Sequence, residues 1–163
     1  MLSKTRREKL SCPCCRSRIV VAEVPDYAPG WRGLGRALLR AGLLDEATRA
    51  VETLDSSPEI RLRAEGRLLA GRLSEATDAA AALAAFTDAA EASPGDPEPW
   101  RELGRLAFRE ERWGDAQTAL RAAVDRDDSD AASWHNLGLV LWETGQFQEA
   151  RDCWRRSLRH RPG

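Results

Sequence analysis

The stretch WHNLGLVLWETGQFQEARDCWRRSLRHRP, residues 134–162, decides the fold. Its landmarks are Trp134, Leu137, Gly138 and Leu141, then Gly145, Phe147 and Ala150, then Trp154, Ser157 and Pro162. Apolar residues recur at three- and four-residue spacing on either side of Gly145, the period of two amphipathic helices joined by a turn. Moving back 34 positions, the landmarks return as Trp100, Leu103, Gly104, Ala107, Trp113, Ala116, Leu120 and Ala123. A third copy lies upstream as Trp31, Leu34, Gly35, Leu38, Gly42, Leu44, Ala47, Val51 and Leu54. Self-similarity at such a period marks a stack of two-helix units, none of which buries its apolar face alone.

The order Trp-x2-Leu-Gly, then a small residue ahead of an aromatic, then Pro resembles the tetratricopeptide repeat family. The matched residues run from about Pro29 to Gly163. The resemblance implies an all-α fold: a right-handed superhelical α-solenoid of about four helix-turn-helix repeats, preceded by a short Cys-rich segment. The expected divisions are 1–27 for that segment and 28–57, 58–96, 97–130 and 131–163 for the repeats.

Small residues at Gly35, Ala47, Gly104, Ala116, Gly138 and Ala150 suit close helix pairs. Trp31, Trp100, Trp134, Phe147 and Trp154 suit the spaces between successive pairs. Pro97 and Pro99 sit where a helix begins and a missing N–H is harmless. Asp127, Asp128 and Asp130 place negative charge at the positive end of the helix around Trp134. The second unit is irregular. No Trp opens it, so Ile60 or Leu62 must serve. Gly71, Leu73, Glu75 and Ala76 repeat the turn at Gly42, Leu44, Glu46 and Ala47, which predicts a lengthened second helix from about Leu73 to Ala92.

Composition narrows the function classes. The formal net charge of −1 gives no bulk attraction to nucleic acid or to an anionic membrane. No apolar run is long enough to cross a bilayer, and Met1–Leu10 lacks the apolar centre of a secretory signal. A cytoplasmic location is the expectation. Lysine occurs only at Lys4 and Lys9, so arginine carries nearly all the positive charge, as the codon usage of a GC-rich bacterial genome would also produce. No phosphate-binding glycine loop or HExxH zinc motif is present, and neither His135 nor His160 has a predictable nucleophile beside it. The chain reads as a non-enzyme.

In proteins of the family the first helix of each repeat lines a concave groove that binds peptides. The residue after the opening aromatic, and those four and eight further on, would face it. In the first repeat these are Arg32, Arg36 and Arg40; in the third, Arg101, Arg105 and Arg109. The fourth repeat offers His135 and Asn136. The Lys/Asn carboxylate clamp of some family members is not reproduced and is not carried over. Guanidinium forks suit carboxylates, so an acidic or C-terminal peptide is the expected partner. The bland alternative is a solvated face, and Glu98 and Glu102 stand three residues before Arg101 and Arg105. The first stripe has no acids among its helix neighbours.

Residues 12–15 read Cys-Pro-Cys-Cys and lead into Ile19-Val20-Val21. This resembles one knuckle of a zinc ribbon, a Cys-x-x-Cys turn before a strand, with Cys12, Cys14 and Cys15 as ligands. The second Cys-x-x-Cys is missing, and Cys153 suits a small apolar helix position. Three readings stand: a zinc shared by two chains, a thiol–disulfide couple, or no metal.

No capping element follows the fourth repeat, which leaves Trp154 and Leu158 partly uncovered. Self-association through that end, a longer parent chain, or shielding by Arg155, Arg156 and Arg159 would each answer it. The leading function is a protein-interaction scaffold or adaptor. A metal- or thiol-responsive regulator using the cysteine knuckle is the alternative.

Overall fold

The computed structural model describes residues 13–160, all helix and short connections. The helices are α1 (Pro13–Glu23), α2 (Ala28–Arg40), α3 (Leu44–Asp55), α4 (Ile60–Ser74), α5 (Ala79–Ala92), α6 (Pro97–Arg109), α7 (Trp113–Arg126), α8 (Ala131–Glu143) and α9 (Phe147–Arg159). From α2 onward they form four pairs, and each first helix after α2 also packs on the pair before it. None is long and apolar enough to cross a membrane.

Local chemistry places the boundaries. Asp96, in an extended conformation, accepts from the Glu98 N–H, and Pro97 occupies the first turn of α6. Asp130 does the same for α8 through Ala132, and Ser133 also bonds its carboxylate. Gly42 and Gly145 take positive φ in the turns that separate the helices of the first and fourth repeats.

Close approach fixes the pairing. A Cβ on Gly104 would lie 2.5 Å from Leu120, and one on Gly138 would run into the Trp154 ring. Gly71 belongs to the same set, because a Cβ there would lie 2.5 Å from Phe86. This corrects the reading of the second unit. Gly71 lies inside α4 under Phe86, not in the turn, and the helix expected over Leu73–Ala92 is interrupted. Thr77 and Asp78 N–H groups close on the Ser74 carbonyl, and the Asp78 side chain caps α5 by accepting from Ala81. The extra length lies in the first helix: α4 has 15 residues against 13 in α2, α6 and α8.

The first repeat is also distinct. Gly35 faces Leu69 of α4 rather than its own partner helix, and Gly66 of α4 faces Leu54 of α3. Two apolar clusters follow. Val21, Leu34, Leu38, Ala47, Ala50 and Leu69 form the N-terminal one. The larger begins at Leu68 and runs through Phe86, Leu106, Leu120 and Leu141 to Cys153. Adjacent residues of α4 therefore serve both cores.

The segment expected to hold a ribbon knuckle is helical over its described part, with Ile19–Val21 inside α1 rather than in a strand. Val20 and Val21 rest against Gly30 of α2, and the Trp31 indole donates to the Pro25 carbonyl at 2.7 Å. A lone strand at the end of a helical stack would leave its edge amides without partners, whereas a helix satisfies its own.

Candidate partner-binding face

Arg32 reaches from α2 across two repeats. Its Nε donates to both oxygens of Glu65 at 3.0 Å, its Nη1 to Glu98 at 2.9 Å, and its guanidinium also bonds Asp96. Such reach is possible only if α2, α4 and the start of α6 converge on one side of the stack. One turn on, Arg36 also binds Glu98. Arg72 of α4 joins Glu98 and, at 2.8 Å, Glu102. Arg101 pairs with Asp130 at 3.0 Å, and Arg105 with Glu75 and with Glu102 at 3.0 Å. Arg109 meets Glu75 at 2.7 Å. The stripe is a ladder in which arginines are met by acids, mostly from neighbouring repeats.

Of the eight side chains expected to line the groove, five lie in or beside this ladder: Arg32, Arg36, Arg101, Arg105 and Arg109. Arg40 is exposed at the end of α2 and has no ion-pair partner among the described residues. His135 and Asn136 lie apart, beside a recess with Ala131, Ala132 and Ser157. The local pairs expected on α6 are present, with Arg101–Glu98 at 3.6 Å as the looser one. The acids that meet the first stripe lie about one and two repeats further along the chain. Only the 34-residue period, applied to acids as well as to arginines, could have found them.

Burial alone would favour the neutral forms. At Glu98 it is outweighed by hydrogen bonds from Arg36 and Arg72 and by the charge of Arg32, which hold the carboxyl down at about 2. Glu75 and Asp130 are also lowered: burial opposes this, but Arg105 and Arg109 act on Glu75, and Ser133 and Arg101 on Asp130. Burial prevails at Glu65, whose carboxyl is raised despite Arg32. Arg32, Arg72 and Arg105 are raised, their acidic partners overcoming burial.

Of the three cysteines in the zinc reading, only Cys15 has a described side chain. Cys15 is a free, half-buried thiol on α1. Among the described residues no three of His, Cys, Asp and Glu come together as metal ligands. Cys12 lies outside the described residues. Cys153 is buried in the larger core, where burial pushes its thiol up.

An array of stacked two-helix units with no strand among its described residues defines an α-solenoid. The tetratricopeptide repeat model matches residues 67–131 and 101–163, and the chain belongs to that family. The first match starts at Arg67, four residues before Gly71, just as Trp100 stands four before Gly104. Solved structures agree on the fold. The crystal structure of MamA superposes with a TM-score of 0.67 at 17% identity, covering 88% of this chain and 84% of that one. TTC0263, a thermophilic TPR protein of Thermus thermophilus, gives 0.67 at 18%, covering 91% and 81%. YrrB, described as a TPR protein with an unusual peptide-binding site, gives 0.65 at 16%, covering 97% and 81%. No curated protein matches the chain.

Proposed function

We propose that the chain is a non-catalytic interaction scaffold that holds an acidic or C-terminal peptide of a partner protein against the concave face of its first helices. The observation that carries this is the uneven engagement of the arginines. Arg32 and Arg72, with side chains 24% and 14% exposed, are built into the ladder. Arg36 and Arg109 are 45% and 47% exposed and retain unused donors, and Arg40 beside them has no internal partner among the described residues. Arg36 and Arg40 stand one turn apart in the C-terminal half of α2, and Arg109 ends α6. A ligand carboxylate meets them as a fork meets a fork.

The test is titration of a fluorescent acidic peptide ending in a free carboxylate into the protein and into an Arg36→Glu, Arg40→Glu double variant. Loss of affinity by about tenfold or more supports the reading. Equal affinity of both proteins sinks it. A steep dependence on salt with single-stranded oligonucleotides as competitors would instead indicate phosphate binding.

A further inference from the structure

The most exposed arginines of the ladder are held by acids that also keep a more deeply set arginine. Arg36 has one ion-pair partner among the described residues, Glu98. The Glu98 side chain is buried and is also bonded by Arg32 at 2.9 Å and by Arg72. Arg109 repeats the arrangement on α6. It donates to the Glu75 carboxylate at 2.7 Å and to the Glu75 carbonyl at 3.2 Å, with Glu110 at 3.6 Å. Glu75 keeps Arg105 as well.

This asymmetry sets the cost of releasing each arginine. Taking Arg32 from the ladder uncovers Glu65, Asp96 and Glu98 together, two of them buried. Taking Arg36 leaves Glu98 with Arg32 and Arg72, and taking Arg109 leaves Glu75 with Arg105. A half-exposed pair of this kind is weak and is readily exchanged. Arg40 follows Arg36 by four residues on the same face of α2 and has no ion-pair partner among the described residues. A carboxylate that reaches Arg40 therefore meets Arg36 as well.

We propose that Glu98 is an internal competitor for the ligand: a carboxylate bound at Arg36 and Arg40 takes Arg36 from Glu98 by exchange, so Glu98 sets the affinity of the site. Glu75 does the same at Arg109. This rests on the reading of the face as a carboxylate-binding site and adds what tunes it. Exchange also favours a charged ligand, because a carboxylate restores to Arg36 what Glu98 gave and a neutral carbonyl restores only part of it. The competitor has a sign that a brace lacks. Loss of a purely structural Glu98 would loosen the face and weaken binding, whereas loss of a competitor strengthens it.

The probe is the fluorescent acidic peptide with a free terminal carboxylate, titrated at about 0.15 M salt, where charges more than about 8 Å off are largely screened. Glu98→Gln should bind it about two- to fivefold more tightly than the unsubstituted chain, the worth of a half-exposed ion pair, while unfolding at lower denaturant. In an Arg36→Gln background the same substitution should bring no gain, because the contested arginine is gone. Glu75→Gln should also strengthen binding, and it carries the test if Glu98→Gln loses helix content by circular dichroism. Equal or weaker binding by folded Glu98→Gln, or by Glu75→Gln in its place, overturns the proposal and leaves the binding site standing. A gain that survives the loss of Arg36 also overturns it, since the acid then acts through bulk charge alone. Absence of binding in every one of these proteins sinks the site itself, and the competitor with it.

Discussion

Arg32 and Glu98 lie 66 residues apart in sequence and 2.9 Å apart in the structure. Their bond spans two repeat boundaries and ties the first pair of helices to the third. In a solenoid most contacts run between nearest neighbours, so a tie of this range couples units that would otherwise respond independently. Glu98 is its hub, since Arg36 and Arg72 end on the same carboxylate.

Acid should therefore loosen the array through Glu98. Its carboxyl is held at about 2 in the folded chain against an ordinary 4.5. A lowered carboxyl contributes stability that is present above the unfolded value and lost as pH falls towards the folded one. That contribution, about 3 kcal/mol by linkage, fades between pH 4.5 and 2. Glu75 and Asp130 act in the same direction and Glu65, raised by burial, in the opposite one. Urea titrations at several pH values should show Glu98→Gln less stable at pH 7 with a flatter acid limb. Parallel curves for the two proteins would contradict this.

The glycines under the second helices predict a contrast within one residue type. Gly71→Ala places a methyl 2.5 Å from the Phe86 ring, and Gly104→Ala one as close to Leu120. Each should destabilise by about 1–3 kcal/mol through overpacking. Gly114, in the first turn of α7, has nothing within 4 Å of an added Cβ. Gly114→Ala should be neutral to stabilising by about 0.5–1 kcal/mol. Denaturation midpoints measure all three.

How much of this was readable in advance depended on distance along the chain. The Leu-Gly and Ala landmarks, the prolines at the start of α6, the acids before α8 and the turn glycines act within a few residues, and they were legible. The second repeat was misread because Gly71 resembles a turn glycine locally, and only Phe86 across the pair shows its role. Likewise Ile19–Val21 has the composition of a strand, and packing on α2 makes it helical. In the candidate site the arginines and the local acids of α6 were visible, and the acids that meet Arg32 and Arg36 were not, since Glu65 and Glu98 come from other repeats. Phe147 was expected between helix pairs and instead lies half exposed, stacked edge to face on Trp142.

Trp100 breaks a pattern that its relatives in the chain keep. The indole N–H groups of Trp31 and Trp134 donate to the carbonyl six residues upstream, Pro25 and Asp128, each at 2.7 Å. The corresponding Pro94 carbonyl is taken by Arg126 Nε, and the buried Trp100 indole is left without a partner. The Arg126 guanidinium instead covers the Trp100 ring at 4.7 Å. Arg126→Met should release Pro94 to Trp100, moving the Trp100 indole proton downfield and slowing its exchange by NMR. The gained hydrogen bond and the lost cation–π contact are each about 1 kcal/mol, so net stability should change little.

The arginines of the ladder should divide into two functional groups. Arg32→Glu would set a fourth carboxylate among Glu65, Asp96 and Glu98, all of them already drawn to that guanidinium. Breaking a buried pair costs about 3–5 kcal/mol, and like-charge repulsion adds to it. Arg32→Glu should therefore lower the unfolding midpoint sharply, with ligand binding lost only as a consequence of unfolding. Arg36→Glu with Arg40→Glu removes one of the three arginines hydrogen-bonded to Glu98 and should lower the midpoint by less than Arg32→Glu, while removing peptide affinity. Measuring denaturation and peptide binding on both variants separates the roles. If Arg32→Glu remains fully folded and loses only the ligand, the ladder is a binding device rather than a brace.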